Sequence, residues 1–280
     1  MSRRIFISYA NEAMSWSLKR IGRQAQRLGI FDEVILYTPQ DLPEEVRAHP
    51  LMEYSRGAGY WLWKPYIIQH TLDTHAAGDV VVYADAGCTL RKSFAWQVLF
   101  GLMNKYDSIA FQYTEEEYPE WAKWGSTSAK MKVWTKKATL TFLDSYLGSQ
   151  EYREENLVLG GFLLLKGKSN TFLHEWKRLV SSHPELVMDP APEELSEQHP
   201  EYVGHRHEQC FLCPLSLRDA HTLVLPEALE RYTPDAPVWA SRVRATSFWD
   251  GVRRLLPIYL RAWMGNDFVN KIKSTITRHR

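Results

Sequence analysis

The sequence contains very little cysteine. Three of its 280 residues are Cys, and this small, odd number excludes a scaffold held together by disulfides. Cys210 and Cys213 form one C-x-x-C pair. Because no second pair accompanies it, we do not expect a structural zinc site. Two thiols on one face of a helix is the simpler interpretation.

An excess of charge of one sign is also missing. The 34 Lys and Arg residues are balanced by 33 Asp and Glu residues, which gives a formal net charge of +1. This balance is not typical of a nucleic-acid-binding protein, so we expect no nucleic-acid partner. No apolar run approaches the roughly 18 residues of a membrane-spanning helix. Residues 1–12 have the pattern of a first strand rather than of a secretory signal, and we therefore expect a cytoplasmic protein.

The remaining composition is that of a globular protein with a sizeable core. Hydrophobic residues make up 45% of the chain and charged residues 24%. Aromatic residues reach 13%, with 11 Trp, which fits either a Trp-rich core or aromatic faces that bind sugar rings.

Strand and helix patterns alternate along the first half of the chain. Short apolar runs alternate with helical patterns, which predicts an α/β fold with a mixed, mainly parallel sheet flanked by helices. The predicted strands are residues 5–9, 34–37, 79–84, 108–113, 157–165 and 221–225, and the predicted helices are residues 12–28, 65–75, 93–105, 126–147 (in two pieces), 170–182 and 208–220. We expect one domain over residues 1–241, with residues 115–124 as a surface loop.

The strongest local motif is Tyr83-Ala84-Asp85-Ala86-Gly87-Cys88, which directly follows an apolar run. In open α/β sheets, ligands bind beyond the carboxyl ends of the strands, and Asp85 lies at such an end. A carboxylate there can hold Mg²⁺ or Mn²⁺, and the cation can hold a diphosphate. The alternative is that Asp85 caps the next helix.

Two glycine-containing segments also suggest ligand contacts. In the run from Arg56 to Lys64, two glycines let the backbone approach a ligand, and the two cations can pair with phosphate. No third glycine follows at the spacing of a dinucleotide-binding fold, so we reject that motif. Gly160 and Gly161 leave a bare backbone in an apolar strand, either for a ligand or for a β-bulge.

A cluster of five polar residues, His205-Arg206-His207-Glu208-Gln209, precedes an apolar helix. His205 and His207 project the same way if the chain is extended there, and either can complete a metal shell with Asp85 or contact a phosphate. Glu208 is a candidate general base or a carboxylate that stabilises a cationic transition state.

Four blocks occur in a fixed order, G-Y-W-L-W-K-P-Y-I-I, V-V-V-Y-A-D-A-G-C, G-G-F-L-L-L-K and H-R-H-E-Q. In this order, and over roughly residues 3–225, the chain resembles bacterial cell-surface polysaccharide glycosyltransferases of the GT-A type, which build capsule or O-antigen. These enzymes carry Asp-x-Asp after a central strand, which binds a metal and the donor diphosphate. Here Asp85 keeps the first Asp, and Gly87 replaces the second.

The resemblance also implies a sugar pocket. In retaining members, a glycine-rich strand and a later Asp-Gln element line it, and the pairs Gly160-Gly161 and Glu208-Gln209 are similar to these, with Glu in place of Asp. The late His-x-x-Gly-x-x-Lys-Pro-Trp metal motif of one retaining family is missing. The stereochemical outcome, and the choice between hexosyl and pentosyl transfer, therefore stay open.

The last part of the chain differs in charge. Residues 242–280 hold nine Lys or Arg and two acids, so this tail carries +7. Trp, Tyr, Phe and Leu are interleaved with the bases, as in an amphipathic helix that lies on an anionic membrane. We expect Pro257 and Gly265 to break it into pieces. The alternative is a terminal helix packed on the domain.

Together these features predict a glycosyltransferase at the inner face of a bacterial cytoplasmic membrane. It would move a sugar from a nucleotide-sugar or other sugar-1-diphosphate donor to a surface-glycan or lipid-linked acceptor, with Mn²⁺ or Mg²⁺. A sugar nucleotidyltransferase and a non-catalytic glycan-binding or membrane scaffold are the alternatives. The predicted site has Asp85 and Glu208 as catalytic carboxylates, Asp85, His205 and His207 as metal ligands, and Arg56, Lys64, Tyr83, Gly87, Gly160, Gly161, His205, His207 and Gln209 at the donor diphosphate.

Overall fold

A computed structural model describes residues 2–264 of the chain. Its strands are β1 (Arg4–Tyr9), β2 (Glu33–Tyr37), β3 (Val80–Ala84), β4 (Thr89–Leu90), β5 (Ser108–Gln112), β6 (Phe162–Lys166), β7 (Thr222–Pro226) and β8 (Val238–Trp239). Its α-helices are α1 (Ser15–Leu28), α2 (Glu44–Arg47), α3 (Gly57–Tyr60), α4 (Trp63–Thr74), α5 (Ala95–Leu102), α6 (Lys137–Leu147), α7 (Thr171–Ser182), α8 (Gln209–Arg218) and α9 (Phe248–Met264). The 3₁₀ helices are Glu12–Met14, Pro39–Asp41, Pro50–Glu53, Pro119–Trp124, Met131–Trp134, Glu151–Glu154, Pro184–Leu186 and Pro192–Glu197.

Six strands form one mixed sheet in the order β2-β1-β3-β6-β5-β7, and β4 pairs with β8 apart from it. The pairs β1–β2, β1–β3 and β5–β7 are parallel, whereas β6 runs antiparallel to both β3 and β5. The predicted α/β fold with a mixed, mainly parallel sheet flanked by helices is therefore confirmed. Because β6 is reversed, its first residue, Phe162, pairs with Ala84, the last residue of β3.

The core lies on both faces of the central strands. All residues of β3 are buried, as are the five apolar or small residues of β1 after Arg4. A strand covered on both faces reads as a continuous apolar run, which explains why both strands were visible in the sequence. Each fully buried Val, Ile or Phe contributes about 1.5–3 kcal/mol through the hydrophobic effect.

Two expectations about local structure were wrong. Residues 115–124 are not a surface loop, because Tyr118 and Trp121 are buried, and their rings stack 5.0 Å apart next to Tyr113. Aromatic packing therefore pulls this acidic segment onto the domain. Gly160 and Gly161 do not lie within a strand, because β6 begins after them, at Phe162.

The terminal segment begins inside the domain. The Val243 N–H donates to the Gly87 carbonyl at 3.0 Å, and Ser17 hydrogen-bonds the backbone of Val243 and Ala245. The helical part starts at Phe248, and residues 242–246 form an irregular strip in which Arg242 has a φ of +52°. The division of the chain at residue 241 stays a prediction.

Helix α9 also differs from expectation, since it runs unbroken through Pro257. A proline inside a helix removes one backbone hydrogen bond. The carbonyl that loses its partner belongs to Arg253, an exposed residue, so water can take over the bond. The predicted break at Gly265 lies outside the described residues. Within residues 2–264, no helix combines the length and the apolar character needed to cross a bilayer.

Candidate active site

A cleft of about 640 Å³ opens at one edge of the sheet. Because every strand of the main sheet except β6 ends there, the residues after β1, β3 and β5 meet the residues before β6 at this edge. All the residues predicted for the site line the cleft except Tyr83, which is buried behind Asp85. The structure therefore brings the predicted residues together in one cleft, while the site itself and the roles assigned to its residues stay predictions.

The centre of the site is a buried ammonium between two carboxylates. Lys64, from α4, places its Nζ 2.7 Å from Glu208 Oε1 and 3.7 Å from Asp85 Oδ1. Its Nζ also donates to the Gly160 carbonyl at 3.0 Å. The side chains of Lys64 and Glu208 are 2% and 5% exposed, whereas that of Asp85 is 41% exposed. Asp85 is thus the member of this triad that faces the open cleft.

The buried lysine and its neighbours influence one another electrostatically. Burial alone would lower the pKa of Lys64, but Asp85 and Glu208 together raise it above its ordinary value. Burial raises the pKa of Glu208, and the Lys64 ammonium opposes that shift. Burial and the neighbouring Asp85 raise the pKa of Tyr83, so its hydroxyl stays protonated and donates a hydrogen bond to Asp85 Oδ1. Two negative charges thus share one positive charge.

The two glycines fit directly against these carboxylates. A Cβ atom at Gly161 would lie 3.1 Å from Asp85 Oδ2, and one at Gly160 would lie 3.4 Å from Glu208 Oε1. The Asp85 N–H also donates to the Gly161 carbonyl at 2.9 Å. The two glycines were predicted to leave space for a ligand. In the structure, the space beside them is occupied by the carboxylates of Asp85 and Glu208.

The predicted metal shell is not assembled. Among residues 2–264, no three His, Cys, Asp or Glu side chains are grouped so that they could hold a metal ion. His205 uses both ring nitrogens on the backbone, since Nδ1 accepts from the Lys136 N–H at 3.2 Å and Nε2 donates to the Leu186 carbonyl at 2.8 Å. Asp85 has the Lys64 ammonium beside it instead of a second ligand. The predicted trio of Asp85, His205 and His207 is therefore corrected: these residues do not fit a divalent cation.

His207 has a structural partner on each side as well. Its Nδ1 donates to the Val187 carbonyl at 2.8 Å, and its Nε2 accepts from Arg56 Nε at 2.9 Å. Burial lowers the pKa of His207 to about 4, so the ring is neutral at pH 7 and can accept that bond. Arg56 also lies 3.1 Å from Asp189 and is half exposed, which leaves part of its guanidinium facing the cleft.

The other two predicted contacts lie in the cleft wall. The Gln209 side-chain amide donates to the Val158 carbonyl, which fixes its orientation. At Gly87, a Cβ atom would lie 3.4 Å from the Arg242 Cα. Gly87 thus lets residues 242–246 cross close over the end of β3.

Backbone strain concentrates around this cleft. Residues Gly57, Ala58, Gly59, Tyr60 and Trp61 all have positive φ, between +49° and +94°, and form a left-handed helical turn. A non-glycine residue in that conformation costs about 1–2 kcal/mol, and such strain is typical of functional sites. The turn places the Trp61 ring 5.1 Å from the ring of His207, which itself has a φ of +55°.

Several lining residues were missed by sequence reasoning. Tyr9 is the last residue of β1 and Tyr113 follows β5, so the rule that ligands bind at the carboxyl ends of strands would have found them. Arg206 stood inside the polar cluster but was passed over for its histidine neighbours. Arg242 and Arg244 were counted with the charge of the tail, yet both line the cleft.

Neither a protein-family model nor a curated protein sequence matches the chain. Among solved structures, it is similar to a glycosyltransferase involved in the glycosylation of the major capsid of PBCV-1, with a TM-score of 0.44 and 9% identity over 92% of this chain and 99% of that chain. It is similar to the galactosyltransferase LgtC with donor and acceptor sugar analogues, with a TM-score of 0.36 and 14% identity over 82% and 74%. It is also similar to mouse xyloside xylosyltransferase 1 in its apo form, with a TM-score of 0.40 and 9% identity over 93% and 94%. These likenesses concern the course of the chain alone.

Proposed function

We propose that this protein is a glycosyltransferase that moves a sugar from a sugar-diphosphate donor to a surface-glycan or lipid-linked acceptor. The observation that carries the proposal is the Lys64 ammonium buried between Asp85 and Glu208 at the strand ends. Sugar transfer develops positive charge on the ring and negative charge on the leaving group. The triad carries an excess negative charge, and its exposed member faces a cleft with room for a sugar diphosphate.

In this proposal, Asp85 is the catalytic residue that contacts the sugar. Its carboxylate is fixed by the Tyr83 hydroxyl and the Lys64 ammonium, so it is already oriented before the substrate binds. Preorganised charge of this kind stabilises a transition state without reorganisation. The Glu208 carboxylate is committed to Lys64 and almost fully buried, so Glu208 acts as a positioning residue rather than as the general base.

The aromatic wall supports a sugar ligand. Trp61 lines the cleft and is held by its stack on His207, whereas the Trp121 ring is buried behind the cleft surface. Aromatic faces pack well against the apolar side of sugar rings. Trp61 and the triad together give the site one aromatic face, on which a sugar ring can stack, and one charged face.

The assay uses the purified full-length chain, a panel of labelled nucleotide sugars, and lipid-linked or free glycan acceptors, with product analysis by mass spectrometry. Transfer of the label to an acceptor, with release of the nucleoside diphosphate, supports the proposal. Formation of a nucleotide sugar from a nucleoside triphosphate and a sugar phosphate would instead identify a nucleotidyltransferase. Binding of a glycan without turnover of any donor would contradict an enzymatic role.

We further propose that α9 holds the enzyme on an anionic membrane next to a lipid-linked acceptor. One side of α9 packs on the domain, where a Cβ atom on Gly251 would meet Trp16 at 2.0 Å. Trp249, Leu256 and Trp263 recur every seven residues and are 78%, 55% and 84% exposed. This spacing places them on one helix face, which is available to insert into the interface of a membrane while the bases of the tail meet its headgroups.

A further inference from the structure

Besides Arg56, three more arginines line the cleft, Arg206, Arg242 and Arg244, and among residues 2–264 only Arg242 of these three has a carboxylate partner. Arg242 forms a close ion pair with Glu230, whose carboxylate also accepts a hydrogen bond from the Tyr113 hydroxyl at 2.9 Å. Within residues 2–264, no carboxylate lies within ion-pair distance of Arg206 or Arg244. This part of the cleft therefore carries an excess of about two positive charges, in contrast to the negative triad around Lys64.

Arg206 is held in place by indole rings. Its guanidinium carbon lies 4.2 Å from the ring centroid of Trp134, 5.6 Å from that of Trp124 and 5.9 Å from that of Trp121. The Arg242 guanidinium lies 5.0 Å from the same Trp124 ring. These contacts fix the position of the charge but accept none of its hydrogen bonds.

Two buried polar atoms at this place lack a partner among the described residues, Arg206 Nε and Trp121 Nε1. Both groups can only donate hydrogen bonds. Buried donors in native proteins nearly always find an acceptor, so an unpaired pair in one cleft wall points to an acceptor that comes with the ligand.

We infer that Arg206, together with Arg242 and Arg244, binds the phosphate oxygens of the substrate. A phosphate group carries about −1.5 to −2 charges at pH 7, which matches the local excess better than a carboxylate does. A planar guanidinium also binds phosphate oxygens through two parallel hydrogen bonds. The inference deepens the proposed function, on which it rests for the class of substrate, by naming the residues that take the phosphate charge.

The same arginines explain how the site can lack the second carboxylate of the Asp-x-Asp motif. Gly87 stands where the second carboxylate of Asp-x-Asp is expected, and the backbone of Arg242 crosses directly over it. Residues 242–244 thus bring two guanidinium groups to the cleft from the strip that packs on Gly87. Fixed guanidinium charges do here what a bound cation would do, so phosphate binding does not require Mn²⁺ or Mg²⁺.

The test is calorimetric titration of the full-length protein with inorganic pyrophosphate and with UDP in the presence of EDTA. Arg206→Gln should weaken the binding of at least one ligand by about 10-fold or more, and Arg206→Lys, which keeps the charge but loses the planar fork, should weaken it less. Arg91→Gln is the matched control, because the Arg91 guanidinium lies 3.9 Å from the Trp239 centroid but does not line the cleft. It should leave the binding of both ligands unchanged.

A third titration, with glycerol 3-phosphate, distinguishes a phosphate on the donor from a phosphate on the acceptor. If Arg206→Gln weakens UDP binding, the arginines bind the donor diphosphate. If UDP binding is unchanged but glycerol 3-phosphate binding is lost, they bind a phosphate on the acceptor. The inference is overturned if Arg206→Gln changes the affinity for none of the three ligands. It is also overturned if the unaltered protein binds these ligands only when Mn²⁺ is added. It survives if the arginines bind phosphate but no donor is turned over, an outcome that contradicts the proposed function instead.

Discussion

Lys64 Nζ and Glu208 Oε1 lie 2.7 Å apart, and both side chains are almost completely buried. A buried ion pair is not by itself a strong source of stability, because desolvation offsets most of its attraction. This pair instead fixes the ammonium 3.7 Å from Asp85, the carboxylate that faces the cleft. The relationship therefore explains two features together, the burial of a lysine and the orientation of an exposed aspartate.

Lys64→Met should destabilise the protein strongly, because it leaves the Glu208 carboxylate buried without a partner. Removal of one member of a buried pair costs about 3–5 kcal/mol in free energy of unfolding. The double variant Lys64→Met/Glu208→Gln should recover part of that loss, measured by urea unfolding, without recovering activity. Equal stability of the single and double variants would show that the two charges are not coupled.

Asp85→Asn should lower turnover by about 100-fold or more, since a single well-placed electrostatic contact is worth about that much in an active site. Donor binding and the melting temperature should change little, because the side chain is 41% exposed and keeps its shape. Asp107→Asn is the control, an acid at the opposite edge of the sheet that pairs with Lys166. If turnover is the same in both variants, Asp85 is not catalytic.

Gly161→Ala should reduce turnover more than it reduces stability. The new methyl group would lie 3.1 Å from Asp85 Oδ2, so the carboxylate has to move by a few tenths of an ångström. Gly101→Ala is the matched control, because nothing lies within 4 Å of a Cβ atom at that helical position. It should keep full activity and gain up to about 1 kcal/mol of stability. A fully active Gly161→Ala enzyme would contradict the proposed position of the sugar.

Glu227 should make the stability of the protein depend on pH. Burial raises its pKa from 4.5 to about 7, so the folded protein keeps a proton that the unfolded chain has released. Stability from this group is therefore complete below pH 4.5 and is lost as the pH rises through about 7, a change of about 3 kcal/mol. The free energy of unfolding, measured by chemical unfolding, should differ less between pH 5 and pH 8 for Glu227→Gln than for the exposed control Glu53→Gln. An equal change in the free energy of unfolding in the two variants would contradict a raised pKa of Glu227.

Replacement of Trp249, Leu256 and Trp263 by serine should strongly reduce flotation of the protein with anionic vesicles at low salt. The bases of the tail alone contribute about 1 kcal/mol each, so residual binding should disappear as salt is raised. Phe94→Ser is the control, because Phe94 is 73% exposed at a place remote in sequence from the helix. Absence of binding by the unaltered protein at low salt would exclude the membrane role.

The fold and the residues that share the cleft could be predicted from the sequence because their signals are local. The buried strands β1 and β3 appear as continuous apolar runs, and an aspartate at the end of such a run is a recognisable ligand position. The motif around Asp85, the glycine pair and the polar cluster at residues 205–209 were all found in this way. Their gathering in one cleft follows from strand ends that share one edge of the sheet.

The partners of those residues could not be predicted, because they depend on which distant segments meet. Nothing local distinguishes a lysine that binds phosphate from one whose Nζ is enclosed by Asp85, Glu208 and a carbonyl. The reversal of β6 decides this, since it brings Gly160 to the end of β3. The metal prediction failed for the same reason: both nitrogens of His205 are taken by backbone groups from other parts of the chain.

The sequence by itself therefore determined the α/β fold, the edge of the sheet at which the predicted site residues meet, and the residue types available there. Periodicity and turn chemistry act over a few residues, so one sequence suffices to show them. The tertiary structure alone decided which charges neutralise one another and which are left for a ligand. Arg206 shows the difference. The sequence shows that an arginine stands at this position, whereas the indole rings around it, and the lack of a carboxylate partner among residues 2–264, arise from packing between segments far apart in the chain.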